Sequence, residues 1–442
     1  MIKVLSMAVL SFRENVRSKV ALSLFLIVAS VAAFLPLALV GDGSEPGVAR
    51  MILLYPLAAT FGILAFASPW IASAAVAGGV RRRTLQLARV KPIRMWQLLL
   101  GKWLGVMLLL GSLLAVAFVI SWAHIALRGM DKDSAIGVAK ELVGPDLPPV
   151  EEQVERILAS AEVSENLDPA GRRRLRATLL RRAPNAAITL HGSTTFAFRP
   201  RRLPAAGERF WLRAKLISDA PSSASCSLSR PAANGSGEES LAFVVDDFPP
   251  QGVDAPLRFD SAPLLDGELR LDISNTSPKD APAIVLQPRR GIVLLLAAGS
   301  LPANMVRAYL VLLSVLALLS AFGVALGAVF SLPVAVFAAI CAVISAVSSD
   351  WVVRDGYVFD VEPGEIHGPV HRVEYHASLA VTSAIAFVSR NALDADPLSR
   401  LSASEWIPSR DLAKALLSNC VAIPAVLFAV FSVILSRREL PE

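Results

Sequence analysis

The chain has 442 residues, of which 54% are hydrophobic and only 18% charged, and its mean hydropathy is +0.55. Such a composition excludes an ordinary soluble domain and a disordered chain, and it points to a polytopic membrane protein. The net charge of +6 would suit nucleic acid, but much of the excess sits beside apolar runs, where it serves to hold loops on the cytoplasmic side, so no nucleic-acid partner is expected.

Residues 1–20 carry Leu5, Ala8, Val9, Phe12 and Val16 at helical spacing, with Lys3, Arg13, Arg17 and Lys19 at other positions. That pattern predicts an amphipathic helix in the cytoplasmic interface. The run Ala21 to Val40 then supplies about the twenty apolar residues that cross a hydrocarbon core. The length of the leading segment and the lack of a small-x-small site argue against a cleaved signal peptide. Gly41-Asp-Gly-Ser-Glu-Pro-Gly47 reads as an external turn, and Ile52 to Val76 as the second span.

A basic segment follows, 78–102, with Arg81, Arg82, Arg83, Arg89, Lys91, Arg94 and Lys102 and no acid. An all-positive loop between spans marks the cytoplasmic face. Thr84 to Val90, followed by Lys91-Pro92, reads as a short helix stopped ahead of the proline. Either these charges only set topology, or the helix also meets a soluble cytoplasmic partner. The third span, about Trp103 to Ile125, closes a first membrane block, 21–127.

Hydropathy then falls, and 128–303 reads as an inserted extracytoplasmic α+β domain. Its part 131–183 is expected to be helical, with Glu151, Glu152, Glu155, Glu162 and Glu165 followed by Arg172, Arg173, Arg174, Arg176, Arg181 and Arg182. Opposite-sign helices pair with each other or stay solvated; acidic lipid headgroups are the other reading for the arginines. In 187–298 the period changes to two. Phe210, Leu212, Ala214 and Leu216 alternate with Trp211, Arg213, Lys215 and Ile217, and Leu269, Leu271 and Ile273 alternate with charged residues. Short alternating runs split by turn residues predict a small antiparallel β-sandwich.

Residues 304–349 are too long for one span and read as a hairpin, Tyr309 to Phe330 and Pro333 to Ser348, in which Gly323 and Gly327 are spaced for close helix packing. Residues 350–410 form a second external segment, where the apolar run Ala377 to Val388 is too short to cross and suits a re-entrant or interfacial helix. The block 411–442 holds the last span, about Leu416 to Leu435, and a short cytoplasmic tail at Arg437-Arg438. The fold class expected is an α-helical polytopic membrane protein of six transmembrane helices, both termini cytoplasmic, with an inserted α+β domain.

Motifs for chemistry are missing. Gly101-Lys102 is followed by Trp103 and lacks the earlier glycine of a P-loop, and neither Gly-x-Ser-x-Gly nor His-Glu-x-x-His occurs. No catalytic or cofactor-binding residue suggests itself, so an enzyme is not expected. The spans carry no Asp, Glu, Lys or Arg between their ends, which argues against an ion-coupled transporter. Cys226, Cys341 and Cys420 give no disulfide framework; Cys226 is a free thiol or an intermolecular bridge. Glu365, His367, His371, Glu374 and His376 cluster in one loop, with the three histidines as a loose metal candidate for zinc or copper. His367-Gly-Pro breaks any helix there, and ordinary loop histidines are the simpler reading.

Four stretches together resemble the ABC-2-type permeases, the six-span membrane subunits of ATP-driven exporters. Ser11-Phe-Arg-Glu-Asn-Val-Arg-Ser-Lys19 is similar to the family's amino-terminal interfacial helix. Thr84-Leu-Gln-Leu-Ala-Arg-Val-Lys-Pro-Ile-Arg94 with Gly101-Lys-Trp-Leu-Gly105 resembles its cytoplasmic coupling segment and the entry to span three. Asn304-Met-Val-Arg-Ala-Tyr309 through Ser331-Leu-Pro-Val-Ala335 resembles its fourth and fifth spans, and the apolar helix ahead of the last span also fits. The inserted domain lies outside the family's common core. One departure stands out: many relatives have a glutamate just ahead of the Thr-Leu, where this chain has Gly79-Val-Arg-Arg-Arg83.

The resemblance implies a permease in the cytoplasmic (inner) membrane of a prokaryote, a homodimer or a heterodimer with a second permease, embedded in membrane lipids and seated on two separate ABC ATPase subunits. Those subunits, not this chain, would bind ATP. The coupling residues it implies are Arg83, Thr84, Leu85, Arg89, Lys91, Pro92, Arg94 and Lys102. The alternative is a non-transporting multi-span membrane protein whose external β domain binds a partner.

Overall fold

The computed structural model describes residues 2–39, 47–48, 50–81, 95–129, 137–147, 188–190, 193–199, 210–214, 216–217, 222–230, 239–248, 256–259, 269–275, 284–286, 292–341, 344 and 396–437, with 152, 155, 158 and 176 singly. It divides into two compact units, Met1–Ala139 with Gly299–Glu442, and Lys140–Ala298.

The first unit is helical: α1 Ile2–Val16, α2 Lys19–Ala38, α3 Tyr55–Arg81, α4 Met95–Leu127, α5 Leu301–Val329, α6 Leu332–Cys341, α7 Pro397–Ser402, α8 Ser409–Leu416 and α9 Ile423–Arg437. Ser18 separates α1 from α2. Its hydroxyl donates to the Asn15 carbonyl at 2.6 Å and accepts from the Ala21 N–H at 3.1 Å, closing one helix and capping the next.

Five helical runs are long and apolar enough to cross a membrane: Lys19–Ala38, Arg50–Ala77, Met95–Leu127, Leu301–Val329 and Ser409–Ile434. This is a helical membrane-type architecture. The sequence reading expects six spans; of its remaining arm, Pro333 to Ser348, the described residues, through Cys341 and at Ile344, are helical.

Helix α5 is the hub, with 72% of its most apolar stretch buried, against 17% in the last span, whose outer face is left for lipid. Gly323 and Gly327 let α5 lie directly on α3. A Cβ on Gly323 would stand 2.7 Å from the Pro69 carbonyl oxygen, and one on Gly327 2.7 Å from the Ser73 Cα. The Ser73 hydroxyl donates to the Gly323 carbonyl at 2.9 Å. Small residues allow this approach, and packing and hydrogen bonding hold it where lipid offers no hydrophobic drive.

Two π-helical turns, Arg50–Leu54 and Leu417–Ala422, each end two residues before a proline, Pro56 and Pro424. A proline has no N–H and its ring abuts the carbonyl four residues back. Those carbonyls, of Ile52 and Cys420, lie within the widened turns, which make room for the rings.

Helix α5 starts at Leu301, eight residues ahead of the expected Tyr309. The last strand, β11 (Ile292–Ser300), hands the chain to the helix directly. Ser300 is extended (φ −85°, ψ 153°), and Pro302 occupies the first turn, where a missing N–H costs nothing. The Leu301 N–H donates to the Gly137 carbonyl at 3.1 Å.

The second unit is built on three sheets. The strands are β1 Val138–Val143, β2 Ile188–Leu190, β3 Ser193–Phe198, β4 Phe210–Ala214, β5 Leu216–Ile217, β6 Ser222–Arg230, β7 Glu239–Phe248, β8 Pro256–Phe259, β9 Leu269–Asn275, β10 Ile284–Leu286 and β11. They are ordered β1-β11-β4-β8, β2-β10-β5 and β3-β9-β6-β7. In the third sheet Phe196, Phe198, Leu271, Ile273, Ala224 and Cys226 are all buried.

Two sequence expectations need correction here. Val138–Val143, placed within the helical part 131–183, is a strand, because β11 beside it takes its backbone hydrogen bonds and tertiary pairing overrides local composition. Of the rest of 131–183, Glu152, Glu155, Leu158 and Arg176 are described as helical, and Arg176 Nε meets Glu155 Oε1 at 2.8 Å, an exposed pair of opposite charge. The single alternating run through 210–217 is split between two sheets, β4 pairing with β11 and β8, and β5 with β10. Trp211, which alternates with Leu212 along β4, is buried as well, with the Lys140 ammonium 4.3 Å from its ring centre. The re-entrant helix expected at Ala377 to Val388 lies outside the described residues.

Candidate functional site

The segment that the sequence singles out joins α3 to α4. Arg83, Thr84, Leu85, Arg89, Lys91, Pro92 and Arg94 lie outside the described residues; Lys102, two turns into α4, lies within them. What the structure describes is the junction into which that segment feeds.

Helix α1 packs on α4 there through glycine. A Cβ on Gly101 would stand 2.6 Å from the Met7 Cβ, and one on Gly105 2.5 Å from the Ser11 Cβ and 2.7 Å from the Ala8 carbonyl oxygen. Met7 and Ala8 to Ser11 therefore follow Gly101 to Gly105, so the two helices run in the same direction. Ala8 and Ser11 are the buried positions of α1, while Leu5, Val9, Leu10 and Val16 remain exposed to whatever surrounds the protein. The Lys102 Nζ reaches Glu14 Oε2 at 2.9 Å, and the Ser11 hydroxyl approaches the Lys102 carbonyl at 3.5 Å.

Trp103, one residue on and so about 100° around the helix, points elsewhere. Its indole Nε1–H donates to the Ala317 carbonyl of α5 at 2.9 Å, and its ring meets Phe428 of α9 edge-on, with centroids 5.7 Å apart. The adjacent pair Lys102-Trp103 thus ties the start of α4 to α1 on one side and to α5 and α9 on the other. This arrangement brings together no nucleophile and base.

The start of α5 carries a second polar anchor. Asn304 is fully buried; its side chain donates to the Glu405 carbonyl at 2.8 Å and accepts from the Ile407 N–H at 3.0 Å. Arg307 donates to the Ile407 carbonyl at 2.7 Å and to the Ser409 hydroxyl at 3.1 Å, and its guanidinium lies 4.0 Å from the Trp406 ring centre. Trp406 in turn covers Gly299, where a Cβ would stand 2.5 Å from the ring. The entry to the last span is thereby fastened to α5.

Glu14, Ser11, Asn304, Arg307 and Trp406 carry these contacts and were not singled out as site residues from sequence. The one signal available was spacing: Gly-x-x-x-Gly at Gly101 and Gly105 opposite small residues at Ala8 and Ser11. His367, His371 and His376 lie outside the described residues, and among the described residues no group of three or more His, Cys, Asp or Glu could hold a metal ion. All three cysteines are free; burial pushes the Cys226 thiol up to about 11. Comparison with protein-family models, with curated proteins and with solved structures gives no match.

Proposed function

We propose that the chain is the permease subunit of an ABC transporter of the ABC-2 type, an exporter driven by ATP that separate subunits hydrolyse. The observation that carries this reading is the junction behind the basic segment. A segment rich in arginine and lysine, resembling the family's coupling segment, runs into Lys102-Trp103, which contacts α1, α5 and α9 at once. A push on Thr84 to Arg94 from a partner would be passed to three helices, and different partner contacts in two states are what drive such a change. Arg83, Arg89, Lys91 and Arg94 would hold an acidic face of the ATPase, with Pro92 setting the angle of exit. In this reading the protein has six spans, the fifth beginning with α6, both termini lie in the cytoplasm, and the α+β domain lies outside.

Charge reversal tests it. Arg89→Glu with Arg94→Glu is expected to abolish co-purification of the ATPase subunit and ATP-driven transport, while the chain still inserts and is monodisperse. Unchanged co-purification and transport would remove the coupling role. The separate unit Lys140–Ala298 favours a second reading, a membrane-anchored binding domain. That reading predicts that a partner is lost when the unit is deleted and that no ATPase co-purifies.

A further inference from the structure

Helix α1 presents three sides, of which the described residues cover one. An α-helix turns about 100° per residue, so around the axis from Val9 the residues Ala8, Asn15 and Ser11 lie about 100°, 120° and 160° to one side. Ala8 and Ser11 are the buried pair that meets Gly101 and Gly105 of α4. Between that side and Val9 come Phe12, Leu5 and Val16, a stripe about 60° wide in which Leu5, Val9 and Val16 are exposed. Past Val9 the character changes: Arg13 lies about 40° beyond it and Arg17 about 80°. The Arg17 N–H still donates to the Arg13 carbonyl at 3.3 Å, so the helical turn carries that far. Arg13, Arg17 and Lys19 are exposed, and among the described residues none of the three meets an acid.

The lone acid of α1, Glu14, is held by Lys102 of α4 at 2.9 Å. What faces outward is therefore an apolar stripe edged by positive charge that no carboxylate offsets. An apolar stripe sits in acyl chains, and long cationic side chains just beyond it reach the level of the phosphates. Lys19 opens α2, a run of 20 residues long and apolar enough to cross a membrane, so the end of α1 already stands at the bilayer. Lipid is thus the partner that meets both stripes at once. We propose that the outward side of α1 is a binding site for anionic phospholipid. Leu5, Val9 and Val16 enter the acyl region, while Arg13, Arg17 and Lys19 hold the phosphates of negatively charged lipids and select them over zwitterionic ones. This selection is independent of transport.

The test uses the full-length chain in nanodiscs of equal parts phosphatidylglycerol and phosphatidylcholine. Cys226, Cys341 and Cys420 are replaced by alanine, and a bimane is attached through Leu10→Cys, an exposed position beside the basic stripe. Brominated acyl chains are carried by one lipid class at a time, so the two quenching curves give the ratio of the lipids next to α1. Each basic residue at an anionic surface is worth about fivefold in binding. Phosphatidylglycerol is therefore expected well above parity at this label, Arg13→Gln to lower the ratio about fivefold, and Arg13→Gln with Arg17→Gln and Lys19→Gln to bring it to parity. Undiminished total quenching in that triple variant shows α1 still seated in lipid, which separates lost selection from lost folding. A label at the exposed Val119, about 20 Å further along α4 than Gly105, should meet both lipids alike. Equal quenching by the two lipids in the native chain, or a preference that survives the triple substitution or appears equally at Val119, overturns the proposal.

Discussion

Gly105→Ala adds one methyl group where α1 crosses α4. That carbon would lie 2.5 Å from the Ser11 Cβ, 2.8 Å from its hydroxyl and 2.7 Å from the Ala8 carbonyl oxygen. Ordinary carbon contacts sit at about 3.5–4.0 Å, so the helices must part by about 1 Å, and two of the three neighbours cannot rotate away. Gly62→Ala is the control, a helical glycine with nothing within 4 Å of the added carbon. Both variants gain the same helix propensity, so their difference isolates the overpacking cost, about 1–3 kcal/mol. At 1.4 kcal/mol per tenfold, the undocked population of α1 rises about 5- to 150-fold. Hydrogen exchange of the α1 amides in nanodiscs reads that population. Exchange in Gly105→Ala should be faster than in Gly62→Ala by that factor. Ser11→Gly in the same chain should recover part of it, because the Ala8 carbonyl still obstructs. Equal exchange in the two alanine variants would refute the close-packed junction.

Three further outcomes are expected. Glu14→Lys or Lys102→Glu alone should speed the same exchange and the double swap restore it, by less than about 1 kcal/mol and less still in high salt, since Glu14 is half exposed. Asn304→Leu leaves the buried Ile407 N–H and the Glu405 carbonyl without their side-chain partner, at about 1–3 kcal/mol for each buried group, and chymotrypsin should then cut at Trp406 in chains where the native protein resists. Cys226 is held protonated, from the ordinary 9.0 up to about 11, so it should alkylate far more slowly than the exposed Cys341 until the protein is unfolded. The folded state keeps this proton longer than the unfolded one. Its contribution to stability is therefore full below pH 9 and lost as pH rises from 9.0 toward 11, measurable as a falling unfolding midpoint that Cys226→Ala removes.

The junction was only partly legible in advance. Lys102 stands out for its charge within an all-positive segment, yet its partner is Glu14, the lone acid of α1, 88 residues away in sequence. The stripe Leu5, Ala8, Val9, Phe12 and Val16 reads as amphipathic, yet the closest contacts with α4 come from its smallest member, Ala8, and from Met7 and Ser11 beside it. Small residues carry almost no hydropathy signal, so a helix contact built on them is seen as spacing or not at all. Gly323 and Gly327 were legible for the same reason that Gly101 and Gly105 could have been: each pair sits one turn apart.

Length and hydropathy alone determined the membrane character and the approximate position of the crossing helices, because a span must be long and apolar wherever it packs. Alternation alone marked Leu269 to Ile273 as strand, since a period of two is a local property. Tertiary structure decided the rest. It made Val138–Val143 a strand by placing β11 beside it, started α5 at Leu301, and fastened Asn304 and Arg307 to backbone about a hundred residues away. It also set the facing of the last span: one extra residue in a π turn turns Phe428 onto Trp103 while Asn419 stays on Ser314. Pro424 marks locally where the turn must widen, but the face that Phe428 and Asn419 then present is defined by contacts on two other helices.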